Sequence, residues 1–207
     1  MAEMLDVYDA NGKLIGTADR NVVHTFGLWH KTVHCWIVID DVRIVFQRYS
    51  HSETNRRKLY TTASGHVSTG ETINEAFSKE LMEEVGITVS VSDAIRLPFY
   101  SPFVFNKVLN DGKLYVDRAF PETYFAKYSG TLESFQFNDG EVSSVVAINM
   151  DDYLALANGE VKEIIADEYD GKTTQRKTIF ASDFELVGRD TLYSKFGTII
   201  SAIKFLL

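Results

Sequence analysis

Three glutamates, Glu80, Glu83 and Glu84, stand at i, i+3 and i+4 in the stretch Thr72 to Val85, whose apolar residues recur with a helical period. With about 100° of rotation per residue and Glu80 at zero, Ile73 falls at about 20°, Ala76 at about −40°, Phe77 at about 60°, Glu83 at about −60° and Glu84 at about 40°. The carboxylates therefore continue the apolar stripe, whereas a solvated acidic face would lie opposite Ile73 and Phe77. Burying like charges together is costly unless a cation neutralises them. Hard divalent cations such as Mg²⁺ or Mn²⁺ take oxygen ligands, so the pattern predicts a metal site on this helix; the alternative is a helix end left in water.

The elements that must position these groups are marked in the sequence. Thr72 and Glu75 have capping-box spacing, and Gly86 is the expected stop of the helix. Ahead of it, Gly65 to Glu71 is a loop with two glycines, which lets backbone approach a ligand closely. A hairpin is predicted at Asn11-Gly12, and a central one from Val33–Ile39 and Val42–Tyr49, joined at Asp40-Asp41. Residues 50 to 64 read as a polar loop carrying Arg56, Arg57 and Lys58; with Arg48 these could clamp a distal phosphate, or be solvated surface. Phe103–Val108 and Leu114–Phe120 flank an Asn110-Asp111-Gly112 turn, and Tyr124–Tyr128 and Val142–Asn149 add further strands, so the sheet is expected to be mixed. Asp151 to Ala166 reads as a second helix interrupted by Gly159. Residues 192–207 read as an amphipathic C-terminal helix that docks on the core or pairs two copies into a homodimer.

The chain has 207 residues, 45% of them hydrophobic, enough for one sizeable core, and no linker divides it; a single domain over 1–207 is expected. Its 29 acidic and 21 basic side chains give a net charge of −8, which argues against nucleic acid or an anionic membrane as partner. A small anionic substrate would need local help such as a metal. Cys35 has no second cysteine to pair with, the N-terminus lacks the charges and apolar run of a secretion signal, and Thr198–Leu207 is too short to span a bilayer. A cytoplasmic location without membrane insertion is expected.

Taken together, Gly65, five residues, Glu71, seven residues, and Lys79-Glu80-Leu81-Met82-Glu83-Glu84-Val85-Gly86-Ile87 resemble the signature of the Nudix hydrolases, G-x5-E-x7-R-E-U-x-E-E-x-G-U with U apolar. Only Lys79 departs, standing in place of Arg. The resemblance implies an α/β fold, a Nudix-like α/β/α sandwich with a mixed sheet, holding divalent metals over the diphosphate of a small nucleoside- or organo-diphosphate substrate. Metal ions would neutralise phosphate, acidify a water and stabilise the leaving oxygen, with no covalent enzyme intermediate. Carried over by position, Glu80, Glu83 and Glu84 become metal ligands or, in the case of Glu80 or Glu83, the catalytic base. The Gly65 carbonyl becomes a further ligand, and Glu71 with Lys79 the loop brace. Lysine offers a compact charge on a flexible stem, which predicts looser positioning than arginine. Glu141, in the turn before Val142, is the expected base outside the signature, with Glu122 and Glu133 as rivals.

A second resemblance, to the isopentenyl-diphosphate isomerase branch, rests on His24, His30–Trp36, Thr61–Glu71 and Phe137–Val142. The isomerases use a cysteine before the loop glycine and two glutamates on a later strand. Here those positions read Ser64, and Phe120 with Glu122. A serine hydroxyl cannot replace a thiol as acid or base. His24, His30 and His66 match histidines that build a metal site in the isomerases, a site that also takes the missing glutamate; buried, hydrogen-bonded structural histidines are the alternative. The expected function is thus metal-dependent diphosphate hydrolysis. An isopentenyl-diphosphate isomerase-like enzyme or a non-catalytic Nudix-fold binding module stand as alternatives.

Overall fold

The computed structural model describes residues 2–50, 57–98, 102–109, 112–138, 140–186 and 192–207. The Asn11-Gly12 turn joins β1 (Met4–Tyr8) to β2 (Leu14–Asp19), and α1 (Arg20–Phe26) follows, capped by the Asp19 side chain, which accepts from Asn21 N–H. The expected central hairpin is β3 (Trp29–Ile39) and β4 (Arg43–Tyr49), turning through Asp40 and Asp41, whose left-handed φ values of 47° and 60° short polar side chains tolerate. These strands pair only where Ile37–Ile39 face Arg43–Val45. Beyond that they diverge, and two short strands fill the fork: β5 (Leu59–Tyr60) on β4 and β6 (Ala63–His66) on β3. The stretch expected to be loop therefore contains both, because their partners are distant in sequence and two to four residues carry too little periodicity to be read.

α2 (Ile73–Val85) has the expected capping box and ends at Gly86. β7 (Ala94–Arg96), β8 (Phe103–Val108) and β9 (Leu114–Tyr128) follow. β9 unites two segments read separately, running through Pro121. β8 pairs with it over Leu114–Ala119 and β7 over Tyr124–Ala126, so Pro121 falls in the gap, where a residue without N–H is tolerated best. Then come β10 (Val142–Asn149), α3 (Met150–Ala157), β11 (Glu163–Tyr169), β12 (Thr174–Phe180), a π-helical turn over Tyr193–Gly197 and α4 (Thr198–Leu206).

The single helix expected over Asp151–Ala166 is corrected. α3 stops at Asn158, Gly159 takes a left-handed φ of 75°, and the chain re-enters the sheet. Ile164 is buried, Ile165 exposed and Ala166 buried, the period of a strand; two adjacent isoleucines had mimicked part of a helical stripe.

The main sheet runs β12-β11-β10-β4-β3-β1-β2 with antiparallel neighbours, while β9 lies parallel to β3 from Trp29↔Arg118 to Ile39↔Tyr128. On one face Val33, Cys35, Ile37 and Val45 meet Ala76, Phe77, Leu81 and Val85 of α2. On the other, Trp36, Val38, Phe46 and Ile148 meet Tyr153 and Leu156 of α3 and Phe196, Ile200 and Ile203 of the C-terminal segment. The expected mixed sheet between helical layers is observed. Among the described residues no helix is long and apolar enough to cross a membrane.

Candidate active site

The apolar stripe of α2 fixes where its glutamates go. Ala76, Phe77 and Leu81 anchor the helix on the sheet, and Glu80 and Glu84, one turn apart on that face, are buried with relative exposures of 8% and 5%, while Glu83 is exposed. Glu84 Oε2 accepts from Ser64 N–H (2.8 Å) and from Gln47 Nε2–H (3.2 Å). Glu80 lies on Gly65 so closely that a Cβ there would meet its carboxyl carbon at 2.1 Å, and this is what the loop glycine is for. Lys79 Nζ joins Glu71 Oε2 (3.0 Å), Glu80 Oε1 (3.3 Å) and the His66 carbonyl (3.4 Å). Glu71 in turn accepts from Ser68 N–H (2.9 Å), so Glu71 and Lys79 tie loop to helix.

Burial drives Glu80 upward to about 7, opposed by Lys79 and reinforced by Glu83 and Glu71. Burial likewise pushes Glu84 well above the usual carboxylate range, against the pull of Ser64 N–H and with Glu80 and Glu141 adding to it. Burial, Glu84 and Glu80 together raise the Cys35 thiol, which stays an inert core group. A cation between the carboxylates would remove this tension, and the donors offered are all oxygen, the chemistry that suits Mg²⁺ or Mn²⁺. The residues fit such an ion.

The other expected site residues are distributed as follows. Glu141 is exposed, its carbonyl accepting from Ser50 N–H, and its charge is felt by Glu84. Glu122 pairs with Arg96 (2.6 Å), and Glu133 accepts from Thr174 Oγ1 (2.5 Å). Strand alternation turns Arg48 away from Gln47 and Glu84; it pairs with Glu168 (2.8 Å) in a groove of about 590 Å³ lined also by Arg57, Ser144 and Lys177. Lys58 donates to the Ser182 carbonyl. Arg56 lies outside the described residues.

His24 from α1, His30 from β3 and His66 from β6 converge so that one ring nitrogen from each lies within 4.8 Å of the others. His30 Nδ1 faces the Leu28 carbonyl (3.1 Å) and His24 Nδ1 the Val116 carbonyl (3.4 Å), which turns the Nε2 lone pairs inward. His30 Nε2 is buried without a hydrogen-bond partner, and so is Asp117 Oδ1, 3.3 Å from it. Burial lowers His24 to about 4 and His66 well below its ordinary value, so both rings are neutral and able to ligate. Sequence reasoning missed Gln47 and Asp117: nothing in their spacing shows which face of a strand they occupy.

Residues 28–167 match the NUDIX domain family. The chain belongs to the Nudix family. It is 28% identical over 171 residues to an uncharacterized Nudix hydrolase of Clostridium acetobutylicum, covering 81% of this chain and 80% of that one. Against Nudix hydrolase 3 of Arabidopsis thaliana it is 30% identical over 156 residues, 73% of this chain but 20% of the plant protein. An isopentenyl-diphosphate delta-isomerase of Serratia proteamaculans matches at 30% over 92 residues, 44% of this chain and about half (51%) of the isomerase. A crystal structure from Deinococcus radiodurans shares the fold, with a TM-score of 0.53 at 19% identity over 74% of this chain and 87% of that one. The protein is therefore a Nudix-type hydrolase, and α2 is the helix within the matched domain that bears the signature-like residues.

Proposed function

We propose that this Nudix-type hydrolase cleaves a diphosphate bond in a small nucleoside- or organo-diphosphate, using Mg²⁺ or Mn²⁺ held by Glu80, Glu83, Glu84 and the Gly65 carbonyl. The observation that carries the reading is the burial of Glu80 and Glu84 one turn apart, Glu80 against Gly65 and Glu84 against the Ser64 N–H, with one ammonium at hand: Lys79 reaches Glu80 and also serves Glu71. The bound metal would supply charge neutralisation and an acidified water. Glu80 and Glu84 hold the ion, exposed Glu83 completes the site from the rim, and Glu141 is the base outside the helix. All of this lies within one Nudix domain. Purified protein with Mg²⁺ and a panel of nucleoside diphosphates, sugar nucleotides and prenyl diphosphates, read by released phosphate and product mass, should show metal-dependent cleavage that Glu84→Gln abolishes. Absence of cleavage across the panel, with metal and ligand binding intact, would favour a binding module instead.

The convergence of His24, His30 and His66 favours a second, nitrogen-rich metal site, as in the isomerases that share these positions. Co²⁺ titration should give a d–d absorption band that His30→Gln removes. Ser64 and Phe120 stand where isomerase chemistry needs a thiol and a carboxylate, so isomerised prenyl diphosphate is not expected as a product.

A further inference from the structure

Gln47 is fully buried on β4, beside Val145 of β10, and its side chain points to α2 rather than to the Arg48 face. Its amide N–H donates to Glu84 Oε2, the oxygen that also accepts from Ser64 N–H. One carboxylate oxygen is thus committed to two donors from the protein. The other amide atom, Gln47 Oε1, is buried with no hydrogen-bond partner. Turning the amide over would bring oxygen to Glu84 Oε2 and lose the bond, so the orientation is set by the carboxylate. An unpaired buried acceptor is costly, and an apolar residue at this core position would avoid that cost. Such a group is satisfied in a state of the site that brings a donor, and Mg²⁺ and Mn²⁺ enter protein sites with part of their hydration retained.

We propose that Gln47 is a positioning residue of the carboxylate site: it holds Glu84 through Oε2, leaving Oε1 as the single oxygen for the cation, and keeps its own amide oxygen open for a water that arrives with the ion. This rests on the metal reading above. It assigns Gln47 no contact with the substrate.

The test is Mn²⁺ binding to the full chain by calorimetry and electron paramagnetic resonance, counting the site that Glu84→Gln abolishes, with thermal melting of the metal-free protein alongside. Gln47→Met, close in volume but without polar atoms, should weaken that site about 10–100-fold, the usual effect of losing a group that orients a ligand. Its metal-free melting temperature should not fall, since the orphaned oxygen goes too. Gln47→Glu, which puts an acceptor oxygen where Nε2–H donates to Glu84 Oε2, should weaken the site at least as much. Wild-type affinity within twofold in Gln47→Met would overturn the assignment while leaving the metal reading standing. Gln47→Met melting lower in the metal-free protein as well as binding weaker would also overturn it, by showing a packing role. A wild-type protein with no Mn²⁺ site sensitive to Glu84→Gln would remove the metal reading itself, and this assignment with it.

Discussion

Glu80 makes the stability of the metal-free protein depend on pH in a direction that metal should reverse. Its carboxyl is raised from an ordinary 4.5 to about 7, chiefly by burial. The folded state therefore prefers the protonated form: the benefit is complete below about 4.5 and is lost as pH climbs through about 7. The difference corresponds to about 3 kcal/mol at pH 8. For a chain of this size each kcal/mol moves the melting temperature by about 2–4 °C, so Glu80→Gln, which fixes the neutral state, should melt with wild type near pH 4.5 and about 6–12 °C above it at pH 8 in EDTA. Comparing the two proteins at each pH cancels groups of opposite trend, such as the buried histidines. Saturating Mg²⁺ should restore wild type at pH 8 but not Glu80→Gln, and the apparent Mg²⁺ affinity should drop about tenfold from pH 8 to pH 6 as the ion competes with one proton. Scanning fluorimetry and calorimetry in two buffers of different ionisation enthalpy read these quantities. Parallel melting curves across the pH range, or a pH-independent affinity, would refute the argument that Glu80 is held against its charge.

Further outcomes follow from the same geometry. Gly65→Ala should leave melting nearly unchanged, because the group in its way is the movable end of Glu80, yet lower Mn²⁺ affinity about tenfold or more by displacing that carboxylate. Lys79→Arg should keep metal binding near wild type and Lys79→Met should raise the pH midpoint of Mg²⁺ binding, since Lys79 opposes the rise at Glu80; a midpoint that stays put would remove Lys79 from the site. His34 is held at about 4 by burial and by Lys195, so it contributes stability above about 6.5 that is lost as pH falls through 4; His34→Gln should flatten the acid limb of the melting curve.

Helix α2 was legible because everything that defines it is local: a capping box, an apolar stripe, carboxylates that continue the stripe, and a glycine stop all fall within residues 72–86. What the sequence could not show is what depends on strand partners. The sequence groups Arg48 with Arg56, Arg57 and Lys58 as a phosphate clamp or solvated surface, but one residue along a strand is the opposite face, and only the folded strand shows that Arg48 meets Glu168 while its neighbour Gln47 faces Glu84. Ile164 and Ile165 match a helical stripe as well as two faces of a strand, and only the pairing of β11 with β10 and β12 decides between them. The three histidines come from α1, β3 and β6, and nothing in their spacing announces that the β3–β6 ladder sets Thr32 opposite His66 and so brings the rings together.

Lys79 is the one departure from the family signature, and its contacts show how a lysine can serve there. An ammonium has three protons, and three acceptors surround this one: Glu71 Oε2, Glu80 Oε1 and the His66 carbonyl, at 3.0, 3.3 and 3.4 Å. Arginine would add two donors in a rigid plane, but the acceptors come from a loop, a strand and the helix itself, an arrangement that rotating N–H bonds on a flexible stem can meet. The bond to His66 extends the brace beyond the carboxylates. Gly65, on which Glu80 lies, and His66, which reaches the histidine cluster, are consecutive residues of β6, so one ammonium secures the peptide segment from which both candidate metal sites are built.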